Sequence, residues 1–231
     1  MFLVEGILPV GEAVDAGWTI EAILYSPTTL TSNFARGLIS RKSPALLQQV
    51  SAELMETLSD KDNPQGILAI VHQKKYKLSD LGTIRRGVVI VSPQDPGNVG
   101  TILRTLDSVN GDVLFLLDGG VDPYHPTSVR ASMGTLFWTP MVQASFRDFL
   151  DWSKENEIQL IGTSAHADTD YRKIKPDRPW ILLFGSEQKG LSKQQMNVCD
   201  LTVSLPMHGH ASSLNLGVAA GILLYYYAEG G

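Results

Sequence analysis

The stretch from Ser212 to Tyr227, SSLNLGVAAGILLYYY, opens with the polar residues Ser213 and Asn215 and then carries no charge until Glu229. Serine and asparagine both cap helices and bind polar ligands. Directly before them lies Leu205-Pro206-Met207-His208-Gly209-His210, a strand end running into a glycine-containing loop. A polar loop feeding a helix start offers free backbone N–H groups and the positive end of the helix dipole. Such a corner suits an anionic or lone-pair-rich ligand. Three further loops qualify because each follows an expected strand: residues 93–100, Thr163-Ser164-Ala165-His166, and Gly185-Ser186-Glu187-Gln188-Lys189-Gly190-Leu191-Ser192. In open α/β sheets ligands bind beyond the carboxyl ends of the strands.

Several chemistries are disfavoured. Gly185 to Gly190 has the glycine spacing of a phosphate-binding P-loop, but Leu191 stands where that loop needs lysine. No G-x-G-x-x-G opens a strand–helix turn. A single cysteine, Cys199, excludes an internal disulfide framework and a cysteine metal site, and reads as a buried small apolar residue. His72, His125, His166, His208 and His210 show no metal-ligand pattern, so no metal is expected. The net charge of −5 argues against a general polyanion binder and leaves nucleic-acid contact to local cations.

The elements that must position these loops follow from periodicity. Residues 1–17 carry Phe2, Val4, Ile7, Leu8 and Val14 at helical spacing and predict a helix closed by Gly17. Trp18–Tyr25 and Gly66–His72 read as strands, and residues 27–37 as a short helix or loop. Ser43-Pro44 predicts a helix start, with the apolar run continuing through Leu46, Leu47, Val50, Leu54 and Leu58. Gln73 to Arg86 holds five cations, Lys74, Lys75, Lys77, Arg85 and Arg86, against Asp80 alone, and reads as a solvated linker or an RNA contact. From Gly87 the rhythm is strand–helix. Strands are expected at 87–92, 112–118, 139–143, 158–163, 180–185 and 201–205, with helices at 99–109, 125–137 and 145–156. That alternation implies an α/β fold with a mainly parallel sheet covered on both sides. The run Leu214–Ala228 spans about 22 Å, short of the ~30 Å of a bilayer core. It is expected as a core helix whose Gly217, Ala220 and Gly221 admit a close neighbour, in this fold or a second subunit. No secretion signal is visible at the start, so the cytoplasm is the expected compartment.

Asn98-Val-Gly100-Thr-Ile-Leu-Arg104, Leu183-Phe-Gly185-Ser-Glu187-Gln-Lys-Gly190-Leu-Ser192, and Leu205-Pro206-Met207 through Ser213-Leu214-Asn215 resemble the three signature motifs of the SpoU/TrmH-type RNA 2′-O-ribose methyltransferases of the SPOUT class, in order. The resemblance covers residues 87–231 well. It extends more loosely to the start, where Phe2-Leu-Val-Glu-Gly6 and Asn63-Pro-Gln-Gly-Ile67 are similar to the family's ribosomal-protein-like substrate-binding unit.

The resemblance implies a substrate (RNA)-binding unit at 1–75, a linker at 76–86 and a trefoil-knotted α/β methyltransferase domain at 87–231. It implies S-adenosylmethionine as cofactor, held by Thr163, Ser164, Ala165, Gly185, Ser186, Glu187, Leu205, Met207, Ser213 and Leu214. It implies a homodimer, with the helix after Asn98 and the last helix at the interface. Ribosomal RNA is the expected substrate; transfer RNA, or RNA binding without catalysis, are the alternatives. Arg104, Asn98, Glu187, Ser213 and Asn215 fall on the family's functional positions. Arginine keeps its proton at neutral pH, so Arg104 is expected to hold an RNA phosphate and stabilise the developing alkoxide rather than act as a base. Asn98 reads either as a helix cap or as a pocket residue.

Overall fold

The computed structural model describes residues 1–41, 46–59 and 63–230. It contains two sheets. The first is four-stranded in the order β1-β4-β2-β3, built from β1 (Phe2–Glu5), β2 (Ile20–Tyr25), β3 (Leu46–Gln49) and β4 (Ile67–Val71). Around it lie α1 (Ile7–Asp15), α2 (Asn33–Arg41) and α3 (Ala52–Leu58).

Two expectations change here. The first residues form a strand before the helix. Phe2 and Val4 are buried while Leu3 is not, and Phe2 pairs antiparallel with Val71. Apolar positions 2 and 4 fit either period in so short a window, and pairing with β4 decides. Gly6 (φ 104°) then turns the chain into α1, in a backbone region only glycine enters freely. The helix expected from Ser43 also differs. Residues 43–45 lie outside the described residues, and Leu46–Gln49 is a strand parallel to β2. The helix starts only after Ser51, whose side chain accepts from the Leu54 N–H.

The second sheet has six strands in the order β10-β8-β9-β5-β6-β7. They are β5 (Arg86–Val91), β6 (Val113–Leu117), β7 (Met141–Ala144), β8 (Gln159–Thr163), β9 (Trp180–Phe184) and β10 (Leu201–Val203). Every pairing in it is parallel. Such strands are buried on both faces, and Val113–Leu117 and Trp180–Phe184 are buried throughout. On one face pack α4 (Pro96–Ser108), α5 (Pro126–Ala131) and α8 (Leu216–Ala228), through Ile102, Leu103, Val129, Leu223 and Leu224. Each fully buried Leu or Ile there contributes about 1.5–3 kcal/mol. On the other pack α6 (Phe146–Glu155) and α7 (Lys193–Asn197), through Phe149 and Met196.

The expected 125–137 helix is shorter than its sequence suggests. It stops at Ala131, because Met133 (φ 52°) and Gly134 (φ 95°) take left-handed backbone, and resumes as a 3-10 turn at Thr135–Phe137.

The charged segment 73–86 is not a loose tether. Tyr124 Oη donates to the Lys74 carbonyl (2.6 Å), Tyr76 bridges to Val142, and Leu78, Leu81 and Ile84 pack into the second sheet's core. An aromatic cluster of Phe2, Trp18, Tyr124 and Phe137 joins the sheets, with Trp18 Nε1 donating to the Phe137 carbonyl (2.8 Å). The two units share one apolar cluster.

The segment 169–174 ties the final helix to the sheet. Ser204 N–H donates to the Thr169 carbonyl and Tyr171 N–H to the Ser204 carbonyl. Tyr226 Oη donates to the Arg172 carbonyl and Tyr227 Oη to the Tyr171 carbonyl, both at 3.1 Å. Tyr227 is buried. Tyr227→Phe is expected to cost about 0.5–1.5 kcal/mol, and Tyr226→Phe less because that hydroxyl is exposed. Urea unfolding midpoints check this; a larger loss for Tyr226→Phe contradicts it.

Candidate active site

The strand order places the site. Successive strands β5, β6 and β7 run one way across the sheet, while β9, β8 and β10 lie on the other side of β5. The chain leaves β5 toward α4 on one face and leaves β9 toward α7 on the other. Adjacent strands whose connections part to opposite faces open a crevice at their carboxyl ends.

Across that crevice Glu187, after β9, meets the loop after β5. Its carboxylate accepts from the backbone N–H groups of Gln94 (3.0 Å) and Asp95 (3.2 Å) and from Asn98 Nδ2 (3.0 Å). Asn215 Nδ2 donates to Asn98 Oδ1 (2.9 Å). Asn215 Oδ1 in turn accepts from the N–H groups of Gly217 and Val218, capping α8. One chain of hydrogen bonds therefore runs from the β9 loop through α4 to the start of α8. Partial burial opposes the charge of Glu187, but the Asn98 amide and the two loop N–H groups outweigh it and hold its pKa below the ordinary carboxylate value.

Asn98 is not a cap. Asp95 caps α4 by accepting from the Gly97 N–H (2.8 Å), with Pro96 at the first helical position. Asn98 is 5% exposed, inside the helix, and spends its amide on tertiary bonds. Gln94 and Asp95 lie in the 93–100 loop expected to face a ligand, but the cap role of Asp95 was not foreseen. Asp95-Pro96-Gly97 was the available signal, a cap residue followed by proline at the first helical position.

Small residues bring α4 close to its neighbours. A Cβ on Gly100 would lie 2.3 Å from the Ser128 carbonyl oxygen of α5. A Cβ on Gly217 would lie 3.0 Å from Thr101, and Tyr225 Oη meets Ser108 Oγ at 3.1 Å. The close neighbour of Gly217 and Gly221 is thus α4 of the same chain. A Cβ on Gly185 would meet the Gly190 backbone at 1.9 Å, so only glycine lets the 185–190 loop fold back on itself.

Thr163, Ser164 and Ala165 follow β8, Gly185 and Ser186 follow β9, and Leu205 and Met207 follow β10, at the carboxyl ends of three neighbouring strands. Thr163 Oγ1 donates to the Leu183 carbonyl (2.8 Å) and the Ser164 N–H to the Val203 carbonyl (3.0 Å), binding the loops laterally. Among the described residues the N–H groups of Ala165, Met207 and Leu214 find no acceptor. Ser213 is exposed.

Arg104 stands apart from the Glu187–Asn98–Asn215 chain. It lies six residues after Asn98, about 9 Å along the axis, on the face with Thr101 and Ser108. It is exposed and has no ion pair among the described residues. Several other arginines make structural bonds. Arg85 and Arg86 sit at the amino end of β5, far from the crevice, with their N–H groups on Asp112. Arg172 pairs with Asp170 and Arg178 with Asp200. Cys199 packs beside Gly162, and burial pushes its thiol up to about 12.

The fold, with its six-stranded parallel sheet and capped C-terminal helix bonded back to α4, superposes on the crystal structure of the SpoU methyltransferase AviRb from Streptomyces viridochromogenes with a TM-score of 0.89. The SpoU rRNA methylase family profile matches residues 85–225, and an MRM3-like substrate binding domain matches residues 1–69; the chain belongs to the SpoU rRNA methylase family. It is 35% identical to the 23S rRNA (uridine(2479)-2′-O)-methyltransferase of Streptomyces viridochromogenes, over 97% of this chain and 81% of that one. It is 30% identical to the 23S rRNA (guanosine(2553)-2′-O)-methyltransferase RlmP of Bacillus subtilis, over 97% and 87%. The crystal structure of AviRb from Streptomyces viridochromogenes in complex with AdoMet superposes with a TM-score of 0.88 at 33% identity, covering 99% of this chain and 89% of that one.

Proposed function

We propose that this protein transfers a methyl group from S-adenosylmethionine to a ribose 2′-hydroxyl of ribosomal RNA in the cytoplasm. The observation that carries the reading is the Glu187–Asn98–Asn215 chain, which joins three segments distant in sequence at the crevice between β5 and β9. Residues 1–75 serve as the RNA-binding unit, 76–86 join the units, and 87–231 form the knotted catalytic domain.

The cofactor fits the donor set. The open N–H groups of Ala165, Met207 and Leu214 suit a ligand rich in hydroxyl, ring-nitrogen and carboxylate acceptors. Thr163, Ser164, Gly185, Ser186, Glu187, Leu205 and Ser213 complete the wall. Bound S-adenosylmethionine supplies an already activated sulfonium methyl. The protein therefore mainly contributes alignment, worth up to about 7–11 kcal/mol of barrier.

Arg104 anchors an RNA phosphate and lies beside the 2′-oxygen as that oxygen loses its proton to solvent. A fixed guanidinium stabilises the growing negative charge without surrendering a proton of its own. Glu187 and Asn98 hold the two loops in register, and Ser213 orients the hydroxyl.

The active form is a homodimer. Val218, Ile222 and Tyr225 are 39–52% exposed and form an apolar ridge at helical spacing along α8, extended before the cap by Leu214, 38% exposed. A helix apolar on all sides is covered on all sides in its working state. Arg104 lies on the adjoining face of α4, at the seam between copies. Ile222→Glu is expected to give a monomer by light scattering and to lose methyl transfer. A wild type that is itself monomeric at micromolar concentration contradicts the ridge assignment.

The function is tested with methyl-labelled S-adenosylmethionine and ribosomal RNA from a strain lacking the gene. Label is expected in alkali-resistant dinucleotides, the mark of a methylated ribose. Label on a base, or none in any RNA pool, overturns it.

A further inference from the structure

Beside the Glu187 network, on the other side of Gln94 and Ser186, the crevice widens into a cleft of about 290 Å³. Its lining includes Val91, Ser92, Gln94, Ser186, Lys189 and Gln195. We propose that this cleft holds one base of the substrate RNA next to the methylated ribose, and that Lys189, Gln94 and Gln195 select it. The proposal rests on the ribose-methyltransferase reading and deepens it.

Position comes first. Gln94 borders the cleft and its own N–H is bonded to Glu187, so the cleft shares a rim with the network. It meets the methyl-donor wall only at Ser186 and opens on the other face of the sheet. Val91 and Leu191 belong to the core under α6 and α7, whereas Leu205 and Leu216 pack with the core under α8. A strand passing the network therefore has room to turn one neighbouring base to the opposite face of the sheet.

Size and chemistry agree. The volume lies at the lower edge of the ~300–1,000 Å³ of small-ligand sites, enough for one nucleotide and too little for a duplex. Single-stranded RNA is read by splayed bases bonded along their edges. Val91 and the aliphatic stems of Lys189 and Gln195 offer apolar surface to a ring face. Among the described residues no carboxylate lines the cleft, and Lys189 is its only cation.

The free polar groups are mostly donors. Gln195 Oε1 already accepts from the Ser192 N–H (2.8 Å), which leaves its Nε2 free. Lys189 contributes three N–H bonds and no acceptor. The Gln94 side chain makes no hydrogen bond among the described residues and can donate or accept. A donor-rich cleft prefers a base with carbonyl acceptors, guanine or uracil, over adenine, whose only acceptors are ring nitrogens.

The test has two arms. In the first, RNA fragments around the mapped methylated nucleotide carry each base at the positions immediately 5′ and 3′ to it, and kcat/KM is measured. Wild type is expected to favour guanine or uracil over adenine roughly tenfold at one of the two positions. Lys189→Met and Gln94→Leu should each shrink that preference to within about twofold, with S-adenosylmethionine affinity unchanged. Preference surviving both substitutions overturns the proposal. Cofactor affinity falling in step with Lys189→Met also overturns it, by assigning the cleft to the donor. The second arm needs no turnover: guanosine, uridine and adenosine 5′-monophosphates are titrated while backbone amide shifts of residues 186–195 are followed. Shifts with the first two and not with adenosine monophosphate support the cleft. No shift with any of them overturns it. Such shifts in a protein that methylates no RNA would sink the methyltransferase reading and leave the cleft standing.

Discussion

Arg104→Ala lowers methyl transfer by roughly 10²–10³-fold, the cost of removing one preorganised group that stabilises a transition-state charge. Affinity for S-adenosylmethionine is expected to stay within about twofold of wild type, because the proposed cofactor wall lies on the β8, β9 and β10 loops, whereas Arg104 projects from α4. Folding is unaffected, since the side chain is exposed and makes no ion pair among the described residues. Arg104→Lys retains the charge but loses the planar fork that grips a phosphate with two bonds. It is expected between wild type and alanine, with RNA KM rising more than kcat falls. Equilibrium cofactor binding and steady-state kinetics separate these effects. An alanine variant that loses cofactor affinity contradicts the assigned role.

Glu187→Gln is the second large effect. The carboxylate accepts three hydrogen bonds, two from loop N–H groups and one from Asn98. An amide turns one of its two acceptor oxygens into a donor and aims it at other donors. The groups left unpaired cost about 1–3 kcal/mol. Turnover falls at least tenfold as the β5 and β9 loops lose register, a loss of alignment. The sign of the pH dependence follows from the pKa, which is lower folded than unfolded. The carboxylate's contribution is complete above the unfolded value and is lost as pH falls through the folded one. The melting-temperature gap between wild type and variant is therefore widest near neutral pH and closes on acidification below the ordinary carboxylate range. A gap that widens in acid contradicts the network's role.

The parallel sheet was legible because its strands are short, continuous apolar runs, as in the β-branched GVVIVS and in WILLF. The cap role of Asn215 was legible because a polar residue stands directly before an apolar run. The placement of Asn98 was not. Its type allowed a cap, and only the fold shows that Asp95 takes that role and frees Asn98 for Glu187 and Asn215. The N-terminal strand was hidden because Phe2 and Val4 satisfy both periodicities until β4 supplies a partner. The β3 strand was hidden for a related reason: Leu46 and Leu47 suit a helix locally, and pairing with β2 overrides that preference. The cations of 73–86 looked solvated by composition, yet Asp112 and the second sheet's core hold much of that segment in place.

Mapping ribose methylation across the ribosomal RNA of a strain lacking this gene tests the central claim most directly. Loss of one 2′-O-methyl group is expected, regained on complementation with wild type and not with Arg104→Ala. An unchanged methylation map, or one restored equally by Arg104→Ala, would contradict it.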